Sequence, residues 1–303
     1  MEKVNLYSCV SKPLSYSCGV NSAKAVAPQS VGFTSSVASN PNTDSVSFRS
    51  QKDIYLEKLN QLFPNGELDR VYKDINKDFG IDVPPQLKFY GDNDGVAAGG
   101  FTFERNEIAM SLSDLLSSDT KIVGIKDGKR TVLVSPKVKL PLFVDNKSAN
   151  EFIKLHSQHG NLGFDELVAE PLSEEEKKKL VIQKIAHEVI HAQQHMIMRQ
   201  TEGIGEKEII KAWTHQKPKN MIDRAILGFK VRDLYNKSVW GDMPETEKTI
   251  PNGSPKSVMA HIWLEAVRNY PPVNSPAYEK NPIEVDAYER SAQYLKQKYG
   301  WWN

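Results

Sequence analysis

The sequence lacks the features that mark several large classes of protein. Only two of its 303 residues are cysteines, Cys9 and Cys18, so we expect neither a disulfide framework nor a structural zinc site built from cysteines. No run of about 18 apolar residues occurs, which argues against a transmembrane helix. The net charge is +1, and this balance gives no reason to expect nucleic acid as a partner. Any metal site must therefore use histidine and carboxylate side chains.

Residues 1–50 differ from the rest of the chain because they are rich in Ser, Val, Asn and Ala and poor in charge. This composition, without helical periodicity, predicts a disordered N-terminal tail in front of one domain over 51–303. Lys3 begins a weak basic region, but polar residues and Pro13 interrupt the apolar run that a signal peptide needs. A soluble, cytoplasmic protein is therefore favoured over a secreted one, although the compartment stays open.

Apolar periodicity predicts an α+β fold for residues 51–303. A helix-and-sheet lobe over 51–145, with a small and mostly antiparallel sheet, is followed by a helical lobe over 146–303. The first lobe should contain two amphipathic helices and two hairpins, at 52–63, 68–79, 100–104 with 107–112, and 121–125 with 130–134. The second should contain helices at 149–159, 174–201, 206–213, 219–237, 255–269 and 281–299. Strand 107–112 is the best candidate for an exposed edge that pairs with an extended peptide.

The stretch HEVIHAQQH, residues 187–195, lies inside the helix predicted at 174–201. His187 and His191 are four residues apart, so they lie about 40° apart around the helix and roughly 6 Å apart along it. Both imidazoles can therefore bind one metal ion, and Glu188 beside them can hold a water molecule at that ion. Apolar residues cover much of this helix, and buried ionisable groups are costly unless they are paired or bound to metal. The pattern predicts the helical half of a zinc peptidase site.

A catalytic zinc ion usually has three protein ligands. His195 continues the spacing but drifts about 40° further around the helix, so a second helix should supply the third ligand. The best candidate is Glu284, three residues after Asn281, where a glutamate can also cap the start of a helix. His156 and His159 have ligand spacing too, but the end of a helix favours a structural role for them. The weaker candidates for the third ligand are Glu202, Glu206 and Glu265.

A His-Glu-x-x-His motif followed by a downstream helical glutamate resembles the zincin superfamily, in particular its glutamate-ligand branch, the gluzincins. The run from Asn281 to Tyr288, Asn-Pro-x-Glu-x-x-Ala-Tyr, is similar to the third-ligand helix of several such families. The resemblance covers these two motifs and implies a zincin-like fold around a single zinc ion. It implies that His187, His191 and Glu284 bind the zinc and that Glu188 is the general base.

Hydrolysis of a peptide bond also needs a donor for the oxyanion that forms at the carbonyl. Tyr288 lies four residues after Glu284 and so faces the same side of its helix, and His261 is the alternative donor. Asp286 points elsewhere and can orient a ligating histidine from behind. The expected function is hydrolysis of a peptide or protein substrate by a metal-activated water molecule, with Glu188 as general base.

Two other interpretations fit the sequence. One is an inactive or autoinhibited metal-binding protein related to peptidases, in which the tail fills the cleft and Cys9 or Cys18 binds the zinc. The other is a helical interaction protein in which the His-Glu-x-x-His pattern arises by chance. Metal analysis separates the second interpretation from the rest, and removal of residues 1–50 tests the first.

Overall fold

The computed structural model describes residues 50–91, 99–133, 142–215, 248–272 and 275–300. The tail predicted over 1–50, its two cysteines and the helix predicted over 219–237 lie outside these ranges, apart from Ser50. The described residues form helices and two small sheets, so the prediction of an α+β fold is confirmed. None of the described helices combines the length and the apolar character needed to cross a bilayer.

Two helices begin the described part of the chain, as the periodicity predicts. Helix α1 spans Gln51–Leu62, and its start is closed by a capping box between Ser50 and Asp53. Such a box satisfies backbone N–H groups that otherwise have no partner at a helix start. Helix α2 spans Glu67–Asp78. Leu59 and Ile75 from these helices are buried in the main hydrophobic core.

The first sheet has three strands, β1 (Gln86–Tyr90), β2 (Gly99–Thr102) and β3 (Glu107–Ser111), in the order β1-β3-β2. β2 and β3 form the expected hairpin, but β1 pairs with β3 in parallel. The prediction that 107–112 is an exposed edge is therefore wrong. Strands pair with β3 on both sides, and its Ile108 and Met110 side chains are buried in the main hydrophobic core. Among the described strands, the outer position beside the site belongs to β2.

The second sheet is built around β4. After the short helix α3 (Leu112–Leu115), β4 (Thr120–Lys126) pairs with β5 (Lys129–Val132) and β6 (Phe143–Val144), all antiparallel. Helix α4 (Asn146–Ser157) leads to β7 (Glu166–Pro171), which also pairs with β4 and was not expected from the sequence. This sheet therefore contains strands from both sides of the lobe boundary predicted at residue 146.

Helix α5, Glu174–Gln200, is the central element of the fold. Ser173 and Glu176 form the capping box at its start. Most residues from 180 to 199 have little exposure, and the helix packs against β2 and α2 as well as the C-terminal helices. The prediction of a central, largely buried helix carrying the motif is confirmed.

The described residues that follow contain three further α-helices, namely α6 (Glu206–His215), α7 (Pro255–Arg268) and α8 (Pro282–Tyr299). Asn281 caps α8 by accepting a hydrogen bond from the Ile283 N–H at 3.1 Å, and Pro282 takes the first helical position. Proline suits that position because its missing N–H would have no helical partner there. Helix α8 lies against α5, which brings residue 284 to the motif.

Candidate metal centre

The two motif histidines converge on one point beside α5. Their Nε2 atoms are 3.1 Å apart, and the rings meet edge to face with centroids 4.7 Å apart. This geometry follows from the four-residue spacing, which places the two side chains one turn apart on the same face. His187 is 7% exposed. Two imidazole nitrogens therefore point into a largely dry space.

Glu284 completes the cluster from α8. Its Oε2 lies 3.3 Å from Nε2 of His187, and its Oε1 lies 3.4 Å from Nε2 of His191. Ligand atoms around a tetrahedral zinc ion, with bonds of 2.0 to 2.1 Å, are about 3.3 Å apart. The separations of 3.1, 3.3 and 3.4 Å are close to this spacing, and each oxygen of Glu284 faces one of the two histidines. In the described part of the chain, no other group of three such side chains comes together in this way.

The carboxylate of Glu284 also accepts hydrogen bonds from two phenols. Tyr278 donates to Oε2 at 2.9 Å, and Tyr270 donates to Oε1. The N–H of Asn281, which a capping glutamate would bind, donates instead to the carbonyl of Tyr278. Glu284 therefore does not cap its helix. It is 2% exposed, and its partners explain how a carboxylate is tolerated there.

Charge pairing dominates the electrostatics between α5 and α8. Burial opposes the charged form of His191, but attraction to the Glu284 carboxylate outweighs it and raises the pKa of His191 to about 9. Burial likewise opposes the charged form of Glu284, and the two imidazoles hold its pKa well below the ordinary value. The protein without metal thus pairs a cation with an anion where a divalent ion would be held.

Glu188 lies beside this cluster and is 8% exposed. Its Oε2 has no hydrogen-bond partner among the described residues. Burial raises the pKa of the Glu188 carboxyl, while the two imidazoles and a hydrogen bond from the Phe101 backbone oppose the rise. A carboxylate oxygen without a protein partner, next to three ligand-type side chains, is free to accept a proton from a water molecule.

A cavity of about 380 Å³ opens next to Glu188. Its lining includes Gly99 of β2, Leu180 of α5, Tyr278 and Tyr288. A side chain at residue 99 would be crowded, since a Cβ built there lies 2.9 Å from Sδ of Met110 and 3.3 Å from Oε1 of Glu188. Glycine thus keeps β2 close to the carboxylate.

Of the two expected oxyanion donors, Tyr288 lies at the site. Its ring packs against His187 with centroids 4.3 Å apart, and it lines the cavity beside Glu188. Burial and the nearby carboxylates raise the pKa of Tyr288 above its ordinary value, so its phenol keeps its proton. His261 is exposed on α7 and does not line this cavity. The structure therefore brings Tyr288, and not His261, together with Glu188.

The remaining candidates for the third ligand lie outside the metal group. His195 is buried between the rings of Phe101 and Phe103, at centroid distances of 5.9 and 5.6 Å. Burial lowers its pKa to about 3, which keeps the ring neutral. Glu202 accepts a hydrogen bond from the backbone of residue 252, Glu265 pairs with Arg268, and Glu206 is exposed.

A larger cavity of about 650 Å³ lies elsewhere, lined by Gln193, Met196 and Ile197 of α5. None of the motif's ligand-type residues lines it, so its size does not make it the reactive site. The cluster on α5 and α8 unites two imidazoles, two carboxylates and a cavity, and that combination fits a metal ion. No protein-family model, curated protein or solved structure matches the chain.

Proposed function

We propose that this protein is a zinc-dependent metallopeptidase of the gluzincin type. The observation that carries the proposal is the convergence of His187, His191 and Glu284, whose facing ligand atoms are 3.1 to 3.4 Å apart, with the unpartnered oxygen of Glu188 beside them. A set of two histidines and one carboxylate leaves a fourth position open for water or substrate, as catalytic zinc sites do. A His-Glu-x-x-His motif that arose by chance does not account for Glu284, which lies on another helix 93 residues after His191.

When bound, zinc would supply a Lewis acid that polarises the substrate carbonyl and acidifies water. Glu188 takes a proton from the attacking water through its unpartnered oxygen. It then donates that proton to the leaving amine nitrogen, so the carboxyl acts first as base and then as acid. Burial suits both steps, since a raised pKa makes Glu188 a stronger base than a solvated carboxylate.

Tyr288 stabilises the negative charge that develops on the carbonyl oxygen. Its phenol stays protonated because burial raises its pKa, and its ring is fixed against His187. Preorganised donors of this kind cost no rearrangement when charge develops. Tyr278, which lines the same cavity, holds the carboxylate of Glu284 in place through its hydrogen bond of 2.9 Å.

An extended peptide is the substrate class that fits the surroundings. β2 is an outer strand of its sheet as described, and its backbone at Phe101 donates to Glu188. An outer strand offers main-chain hydrogen bonds to an extended chain with little demand on sequence. The cavity beside Gly99 and Leu180 can then receive a side chain of that peptide.

The test is cleavage of an unfolded protein substrate, such as reduced casein, by the zinc-loaded Glu188→Gln variant. Loss of a general base costs about 100- to 10,000-fold in rate, and zinc content should stay at the wild-type value. Glu174→Gln, an exposed change at the start of the same helix, is the matched control and should cleave normally. Full activity of Glu188→Gln would refute the assignment. Wild-type protein that binds zinc without cleaving any substrate would favour an inactive relative.

A further inference from the structure

One buried amide connects the two helices that carry the candidate ligands. Gln194 of α5 is fully buried, one turn beyond His191. Its Oε1 lies 2.7 Å from Nδ1 of His191. Its Nε2 donates to the backbone carbonyl of Ile283 at 3.0 Å and to Oδ2 of Asp286 at 2.7 Å. Asp286 therefore reaches the histidine through Gln194, rather than directly as the sequence suggested.

The chemistry of these partners fixes which way the amide points. A backbone carbonyl has no proton to give, and neither has an ionised carboxylate. Ile283 and Asp286 must therefore face the NH₂ end of Gln194, so its oxygen faces His191. Because an amide oxygen can only accept a hydrogen bond, Nδ1 of His191 must carry the proton. In the neutral imidazole the lone pair then lies on Nε2, the nitrogen that points at His187 and Glu284.

The same amide acts on the third ligand. Ile283 precedes Glu284 in the first turn of α8, so its hydrogen bond to Gln194 fixes that turn against α5. Asp286 is held in turn by Arg290, whose Nη1 is 3.3 Å from Oδ2. We propose that Gln194 is a positioning residue for zinc, which sets the tautomer of His191 and the position of Glu284 together. This inference rests on the metal site proposed above.

A carboxylate at residue 194 would reverse part of this arrangement. Glutamate has no N–H groups for Ile283 and Asp286, and it would place two negative charges at hydrogen-bond distance from each other. Replacing Asp286 with asparagine as well restores a hydrogen-bond donor opposite the new carboxylate. In Gln194→Glu/Asp286→Asn, the amide of residue 286 can donate to the new carboxylate, which still accepts from His191. The carbonyl of Ile283 alone stays without its donor.

The experiment measures zinc affinity by competition with a chelating indicator, starting from metal-free protein. Gln194→Glu should bind zinc about 10- to 100-fold more weakly, the usual loss when a residue that supports the ligands is changed, because its contacts to Ile283 and Asp286 are lost. The double variant should recover most of that loss. Gln297→Glu introduces the same charge at an exposed position of α8, outside the contacts of Gln194. It should bind zinc like the wild type.

A second measurement tests the tautomer itself. In zinc-loaded protein labelled with ¹⁵N-histidine, NMR should show a slowly exchanging proton on Nδ1 of His191. Gln194→Met, which keeps the volume but offers no acceptor, should lose that slow exchange. This variant also keeps the inference testable if Gln194→Glu fails to fold.

The outcomes separate this inference from the function it rests on. If the wild type binds zinc and Gln194→Glu binds it equally well, Gln194 does not position the ligands. If the double variant binds no better than Gln194→Glu, the link through Asp286 is refuted. A wild type that binds no zinc would overturn the proposed metal site as well.

Discussion

Replacing Glu284 with glutamine removes a negative charge from the candidate metal centre and keeps the size of the side chain. In the wild type, the Glu284 carboxylate faces two imidazoles at 3.3 and 3.4 Å and accepts hydrogen bonds from two phenols. Glutamine retains one oxygen, which can still accept from one phenol. Its NH₂ group cannot accept a hydrogen bond from the other phenol. The neutral amide is also a much weaker zinc ligand than a carboxylate. The change therefore tests the ligand role without opening a cavity.

The size of the effect follows from the number of ligands. Zinc binding by four-ligand sites is worth about 10 to 16 kcal/mol, which is about 3 kcal/mol for each ligand. At about 1.4 kcal/mol for each factor of ten, Glu284→Gln should weaken zinc binding by about 100-fold or more. The metal-free fold should lose about 3 to 5 kcal/mol, the usual cost of removing one partner from a buried ion pair, because the Glu284 carboxylate pairs with the charged form of His191.

Zinc affinity is measured by chelator competition, and the free energy of unfolding of the metal-free variant by denaturant titration. Glu289→Gln is the matched control, because Glu289 is exposed on the same helix, and its zinc affinity should equal that of the wild type. Wild-type zinc affinity in a folded Glu284→Gln protein would refute the reasoning, since a carboxylate at this position would then contribute nothing to the metal. Glu202 and Glu265, the weaker candidates, would have to be reconsidered.

Two further predictions concern other residues. Tyr288→Phe should lower kcat about 100- to 1,000-fold, with KM and zinc content unchanged, because the phenol acts on the transition state; Tyr294→Phe on the same helix should have wild-type kcat. His156 is buried against Phe152, and burial, aided by the charge of His159, lowers its pKa. The unfolded state therefore binds more protons than the folded state below pH 6.5. Between pH 7 and pH 5, the free energy of unfolding of the wild type should fall by up to about 2 kcal/mol more than that of His156→Phe. Equal pH dependence in denaturant titrations would contradict this.

The elements that the sequence predicts well are those defined by local signals. The capping box at Ser173 and the apolar residues around the motif identify α5, and the turn at Asp127, which has positive φ, identifies the β4–β5 hairpin. The parallel pairing of β1 and the strand β7 were not predicted. Both depend on contacts between segments about 20 to 50 residues apart along the chain, and no local pattern specifies such a partner.

The residues of the candidate site also divide into those that a local pattern predicts and those that it does not. His187, Glu188 and His191 follow from a fixed helical spacing, which determines their relative positions before any tertiary contact forms. Glu284 was singled out by its resemblance to a family motif, and the geometry of α8 on α5 gives that choice its physical basis. Tyr270 and Tyr278 were missed because they come from the connection between α7 and α8, where no periodicity marks a functional side chain.

The contacts around the candidate ligands imply that the proposed metal affinity depends on how α8 packs against α5. His191 is held through Gln194 by the first turn of α8, and Glu284 is part of that same turn. The phenol of Tyr278 reaches the carboxylate from just before α8 begins. A shift of α8 relative to α5 would therefore disturb both ligands at once, whereas His187 and His191 would keep their spacing on α5. Helix α5 carries the two histidines that the sequence motif identifies. The proposed site also needs Glu284, and its position depends on how α8 packs against α5.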